Sequence, residues 1–514
     1  MTDPTNGPRP AEKALVLVAV CLAAMAMPLT FTGAAVALPA IGRALGGNPV
    51  ALNWVTNAFM LAFGSSLMAA GALADTHGRK RVFLAGTAVF AAASLGLTFA
   101  PGILAFDLLR AAQGLAAAAA LSGGMAALAQ TFDGPARIRA FSFIGTSFGV
   151  GLAFGPIAAG LMIDAFGWRS IFLLVVLLAL AAFAIGARCL GESRDPAASG
   201  LDWPGAASFT LALTLFTTGV LQAPERGWGD ALVIGALAGA ALLLAAFVAV
   251  ERRVARPMLD LSLFRYPRFV GVQLLAAAPA YAFVVLLVLL PLRFIGVEGM
   301  GEVAAGQLMI ALSAPLLVLP LIAGLLTRWV SPALIAGAGL GLAAAGLYWL
   351  AHVPASTAAA LVPPMLTIGA GIGLPWGLMD GLAVSVVPKE RAGMATGIFN
   401  TIRVAGEGVA LAVVGAVLSG LTAARLPAGP ATAEAAQRLV TGDLAGAAAV
   451  LPGLGRDALT ASYDAAFVAL LLILTAITAL TALVVLFALG YGRAAPAEPG
   501  GIGDVSRTTG MGAR

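Results

Sequence analysis

Fourteen long apolar runs divide this chain, and no other feature of the sequence constrains its fold as strongly. A helix needs about 20 apolar residues to cross roughly 30 Å of hydrocarbon. Broken at charge clusters and Gly/Pro turns, the sequence gives such runs near 14–40, 51–73, 82–100, 104–131, 139–163, 169–188, 204–224, 231–250, 269–291, 303–326, 332–351, 357–386, 393–420 and 463–489. Lipid offers no partner for a backbone N–H or C=O, so each run is predicted to be a transmembrane helix that bonds its own backbone. The first run follows Arg9 and Lys13, has no small-residue cleavage pattern close behind it, and leads into further apolar runs. It reads as a retained span.

Composition agrees with an all-α polytopic membrane protein. Hydrophobic residues make up 60% of the 514 and charged ones 10%, with a mean hydropathy of +0.98; soluble domains carry about 25% charged residues. The net charge of +5 comes from Lys and Arg scattered through short loops, with no continuous basic stripe for a phosphate backbone, so no nucleic-acid partner is expected. Cys21 and Cys189 stand far apart, and His77 and His352 are the only histidines. They form no disulfide framework and no metal-binding motif. No cofactor, no metal and no enzymatic activity are expected.

Orientation follows from the basic residues, because cytoplasmic loops retain Lys and Arg. With the N-terminus inside, 20 of the 29 Lys and Arg fall on the cytoplasmic side and 7 on the other, leaving Arg110 and Arg403 within spans. Both termini are therefore expected in the cytoplasm, and the chain in the cell's inner membrane. Polar cytoplasmic segments at 187–203 and 251–269 group the spans as six, two and six. The expected units are an N-terminal bundle (1–190), linkers with an inserted helix pair (191–267), a C-terminal bundle (268–490) and a disordered tail (491–514). Between the last two spans, residues 421–462 read equally as a short interfacial helix or a disordered loop. A weak echo between AGALADTHGRKRVFLAG from Ala70 and AGLLTRWVSPALIAG from Ala323 suggests related halves, as in transporters that rock two bundles about a midplane site.

Three motifs sharpen this. After the second run comes Gly71-Ala-Leu-Ala-Asp75-Thr-His-Gly78-Arg79-Lys80-Arg81, where the glycines suit close helix approach and a tight turn and Asp75 can answer nearby Arg; an ordinary basic loop is the plainer reading. The fourth run holds Asp107-Leu-Leu-Arg110-Ala-Ala-Gln113-Gly114. A guanidinium that deep must be paired or wetted, either at a working site or in an i,i+3 pair with Asp107 that only locks the helix. The fifth holds Gly151, Gly155, Pro156 and Gly160, a small-residue packing face with a loosened backbone ladder.

These stretches resemble, in order, the G-x-L-a-D-r-x-G-r-[KR], R-x-x-Q-G and G-x-x-x-G-P-x-x-G-G motifs of the major facilitator superfamily, the last with Ala159 for one Gly. With fourteen spans, the chain resembles the fourteen-span drug:proton antiporters of that superfamily from about Val16 to Leu489. The resemblance implies a major facilitator fold of two six-helix bundles plus two inserted helices, and proton-driven export of broad amphipathic compounds. Its third motif is associated with exporters.

One departure matters. Where the family commonly has an Asp in the first span, the aligned residue is Thr30, which cannot carry a proton as an acid. The coupling carboxylate is then expected elsewhere, at Glu407 or Asp380. Asn400, Arg403 and Glu407 fall on one helical face and are expected to line one cavity; an i,i+4 pair between Arg403 and Glu407 is the alternative. Gln113 joins Arg110 as a polar candidate, and Phe31, Trp376, Met379 and Phe399 are candidate apolar lining, or plain packing. The expected partners are a small-molecule substrate, protons and the lipid bilayer, with the protein a monomer. Uptake or uniport of a small metabolite is the alternative within transport, and a transporter-like sensor or assembly protein the alternative outside it.

Overall fold

The computed structural model describes residues 10–132, 134–194, 202–254, 259, 261–353, 358–387 and 392–490. The tail expected to be disordered (491–514) and part of the first linker (195–201) lie outside the described residues. Every regular element among those described is helical. Thirteen long helices run in order: α1 (Pro10–Leu45), α2 (Pro49–His77), α3 (Arg79–Thr98), α4 (Ile103–Thr131), α5 (Gly134–Phe166), α6 (Ser170–Cys189), α7 (Trp203–Arg226), α8 (Ala231–Glu251), α9 (Pro267–Val297), α10 (Glu302–Leu326), α11 (Pro332–His352), α12 (Ala358–Ser385) and α13 (Ala392–Ala423). Two short helices follow, α14 (Thr432–Val440) and α15 (Leu444–Val450), then the long α16 (Arg456–Gly490). All fourteen long helices are long and apolar enough to span a bilayer.

Local chemistry sets the ends. Asn48 accepts a bond from the Ala51 N–H at 2.9 Å and Pro49 opens α2; Asp202 accepts from Gly205 N–H at 2.9 Å ahead of α7, and Ser331 caps α11 before Pro332. A polar cap followed by Pro starts a helix because it satisfies an orphan N–H and fixes a helical φ. Gly78, at φ 113°, turns the chain between α2 and α3. The interior prolines of α9 leave their mark as well: widened π-helical turns at Ala280–Val284 and Leu292–Val297 follow Pro279 and Pro291, which cannot donate to the helical ladder.

Helices α1–α6 pack on one another, with α2 on α4, α3 on α4 and α6, and α1 on α5 and α6. A second group joins α9–α12 to α16, and α13 reaches it through α9, α12 and α16. The groups meet along α2 with α13 and α5 with α10. Helix α7 lies over the first of these seams, with Val220 and Leu221 packed near Ala412, Ala416 and Trp54. Helix α8 stays largely outside, with Leu232, Ile234, Leu242 and Leu244 exposed as a lipid-facing helix requires. The 421–462 stretch is built of α14 and α15: α14 buries Ala435, Ala436, Leu439 and Val440 against the rest of the protein.

Candidate transport site

The site begins with a constraint on α4. Arg110 is fully buried, and a guanidinium in apolar surroundings must spend its donors on protein acceptors. Its Nε donates to the Val55 carbonyl at 2.8 Å, and its Nη1 donates to Gln113 Oε1 at 2.5 Å and to Thr30 Oγ1 at 3.3 Å. Gln113 Nε2 donates in turn to Thr30 Oγ1 at 3.2 Å and Ser94 Oγ at 2.7 Å. The Phe59 ring lies against the guanidinium, 4.5 Å from its centroid. Four helices are thus tied to one cation. Thr30, aligned where an acid was expected, acts here as a neutral acceptor.

The i,i+3 pair with Asp107 does not form. Arg110 and Asp107 make no ion pair, and both Arg110 Nη2 and one Asp107 carboxylate oxygen are buried without a hydrogen bond. The guanidinium has turned inward to α1 and α2, keeping Gln113 of its own helix as a partner but not Asp107.

A narrow cavity lies where the two helix groups meet. It is lined by Met27, Pro28, Phe31, Phe59, Met60, Phe63, Phe148, Leu152, Val284, Trp376 and Glu407. Glu407 is the only ionisable side chain among them and is 9% exposed. The cavity measures about 20 Å³, which accommodates one or two waters. A drug-sized guest needs the bundles to part. Phe31 and Trp376 sit on its wall, whereas Met379 and Phe399 are buried in the packing beside it.

The expected Asn400–Arg403–Glu407 row separates in space. Asn400 is buried but does not line the cavity. Arg403 reaches away from Glu407: its Nη1 stands 3.8 Å from Asp380 Oδ1, and its guanidinium lies 5.9 Å and 5.5 Å from the Trp376 and Phe399 ring centroids. The i,i+4 pair is absent because Asp380 and two aromatic faces compete for the cation. The Asp380 side chain is 61% exposed, so it lacks the desolvated setting expected of a coupling acid. Glu407 keeps that setting.

The motif glycines divide by role. A side chain at Gly151 would strike Met25 and Pro28, and one at Gly155 would strike Thr32, so both let α5 lie close on α1. A Cβ at Gly160 would stand 2.6 Å from the Glu302 carbonyl, and the Pro156 carbonyl presses on Gly306, so this end of α5 closes on α10 of the other group. Gly71 has open space where a side chain would go. The close approach expected there is not required, because the nearest helices leave room. At the turn, Arg79 Nη2 pairs with Asp75 Oδ1 at 2.9 Å and its Nη1 donates to Gln130 Oε1 at 3.0 Å. Sequence reading missed Glu192, whose carboxylate sits over Gly78 and pairs with Arg81 at 3.5 Å. It missed Phe59 and Phe63 too, although their i,i+4 spacing on α2 was a readable signal.

Comparison with known proteins places this architecture. The family model described as Major Facilitator Superfamily matches residues 20–411. The cephamycin export protein CmcT of Amycolatopsis lactamdurans is 35% identical over 80% of this chain and 86% of its own length. The puromycin resistance protein of Streptomyces alboniger is 33% identical, covering 80% and 82%; the multidrug resistance protein Stp of Mycobacterium tuberculosis is 30% identical, covering 76% and 73%. Among solved structures, an inward-facing, unoccupied bacterial homologue of the human lysosomal transporter Spinster aligns over 95% of this chain and all of its own, with a TM-score of 0.66 at 17% identity.

Proposed function

The chain belongs to the major facilitator superfamily, and on that premise we propose that it exports small amphipathic compounds across the inner membrane in exchange for protons. Its termini lie in the cytoplasm in this reading, which the distribution of basic residues supports. One observation carries the coupling: Glu407 is the only ionisable residue on the wall of an otherwise apolar, aromatic cavity at the junction of the two bundles. A carboxyl in that place exists either as a neutral acid, tolerable among Phe and Met, or as an anion that needs water or a cation beside it. Parting the bundles toward one face exposes it to that face's proton supply and to a guest. Closing them forces a choice between proton and guest, and rocking to the other face delivers whichever is bound. The similarity to a protein named for cephamycin export supports the direction of transport.

The aromatic and Met lining suits guests of variable shape, because polarisable faces adapt without fixed hydrogen-bond geometry. The missing α1 acid favours one rival, uniport without protons. Purified protein in sealed vesicles with an imposed pH gradient separates the two. With radiolabelled puromycin, a cephamycin and tetracenomycin C as probes, gradient-driven accumulation of at least one is expected for the parent, and Glu407→Gln should retain only downhill flux. Downhill flux alone in the parent establishes uniport. Full gradient-driven transport by Glu407→Gln refutes the coupling assignment.

A further inference from the structure

Glu407 leaves one buried charge unexplained. Arg110 is fully buried, every acceptor it bonds is neutral, and its Nη2 has none. A guanidinium in hydrocarbon without a countercharge is strongly unfavourable. The anion placed to act on it is Asp107, three residues earlier and one turn away on α4. The neighbouring helices supply no other anion at that depth. Along α2 no charged side chain precedes Asp75; the three of α3 stand at its start, Glu12, Lys13 and Arg43 at the two ends of α1, and Arg137, Arg139 and Asp164 near the ends of α5. Arg169, beside the end of α3, donates to the Thr98 carbonyl.

Asp107 also lies on the side from which an exporter's driving protons arrive. It is four residues from the start of α4, about 6 Å deep, and Arg110 is about 10 Å deep. One of its carboxylate oxygens is buried without a donor. Its connection to the cavity runs through a single ring: Phe59 rests on the Arg110 guanidinium and also lines the space that holds Glu407.

We propose that Asp107 is a second proton-carrying residue of this transporter, taking a proton from the external face and, by gaining or losing it, setting whether Arg110 is neutralised. This rests on the export reading for which face is external. In the step, an O–H bond of a hydronium ion at the external face breaks, releasing water, as an O–H bond forms at an Asp107 carboxylate oxygen. The Arg110 charge is then uncompensated and its field reaches the cavity across Phe59. Loss of the proton restores the balance. Thr30 is thereby relieved of the acid's duty and serves only to orient Arg110 and Gln113.

Two readouts test this. Infrared pH titration of the purified protein in lipid nanodiscs, following the protonated-carboxyl stretch, needs no substrate. The parent should show a titrating carboxyl that is missing in Asp107→Asn and displaced in Arg110→Lys. The second readout is puromycin accumulation in vesicles: Asp107→Asn should lose the gradient-driven part while keeping downhill flux, and Asp107→Asn/Thr30→Asp should recover it, since the Thr30 hydroxyl stands 3.3 Å from Arg110 Nη1. An unchanged infrared titration in Asp107→Asn overturns the proposal, as does full gradient-driven transport by that variant. A band lost in Asp107→Asn alongside a parent that pumps nothing refutes the export reading and leaves the proton site standing.

Discussion

Gly64, at the seam of α2 and α13, offers the sharpest test of how the two bundles are held. A Cβ built there would stand 2.5 Å from the Ala405 Cα and as crowded against its backbone nitrogen, where real Cβ contacts essentially never fall below 3.0 Å. The obstacle is backbone, which cannot swing aside like a side-chain tip. Gly64→Ala must therefore push α2 from α13 by at least about half an ångström. Overpacking of this kind costs about 1–3 kcal/mol. Alanine also raises helix propensity by about 1 kcal/mol, but that gain is the same in every conformation and cancels between them. The clash acts only where the bundles touch at this point, so the whole cost weighs against the closed seam and shifts the balance of conformations by about 5- to 150-fold. Spin labels on α2 and α13, read as distance distributions in liposomes, should show the seam-closed population fall, with transport rates changed in step. Expression and melting temperature should stay near parental, because contacts within each bundle are untouched. A distance distribution identical to the parent's would refute the idea that this glycine contact is made in one state and broken in another.

Two further outcomes follow from the ends of helices. At Gly78, φ is 113° and the Glu192 carboxylate fills the space a side chain would take; Gly78→Ala should cost about 1–3 kcal/mol in backbone strain, lower the melting temperature and free the linker, read as faster proteolysis near 190. Glu298, just beyond α9, is bonded to Arg293 at 2.8 Å, yet burial outweighs that cation and raises its carboxyl above the ordinary value. The folded protein then holds this proton over a pH interval in which the unfolded chain has lost it, so thermal stability should fall as pH rises through that interval. Glu298→Gln should flatten the slope there, and a melting curve with the same pH slope as the parent's would overturn the assignment.

The apolar runs alone dictated fourteen spans, because an unpaired backbone in lipid is so costly that about 20 apolar residues have little choice but to be helical. Their ends were nearly as legible, since Asn48-Pro49, Ser331-Pro332 and Gly78 carry start and stop chemistry in single residues. What each buried charge does was not legible. Along α4, Asp107 and Arg110 are one turn apart and look like a pair; only the fold brings Val55, Thr30 and Phe59 within reach, and these take the guanidinium inward. Along α13, Arg403 and Glu407 look like another, until α12 supplies Asp380 and Trp376 and leaves Glu407 on the cavity wall. Helical spacing fixes which residues share a face, but the partner of a charge is whichever group competes best across the gap between helices, and that competition exists only once the helices are packed.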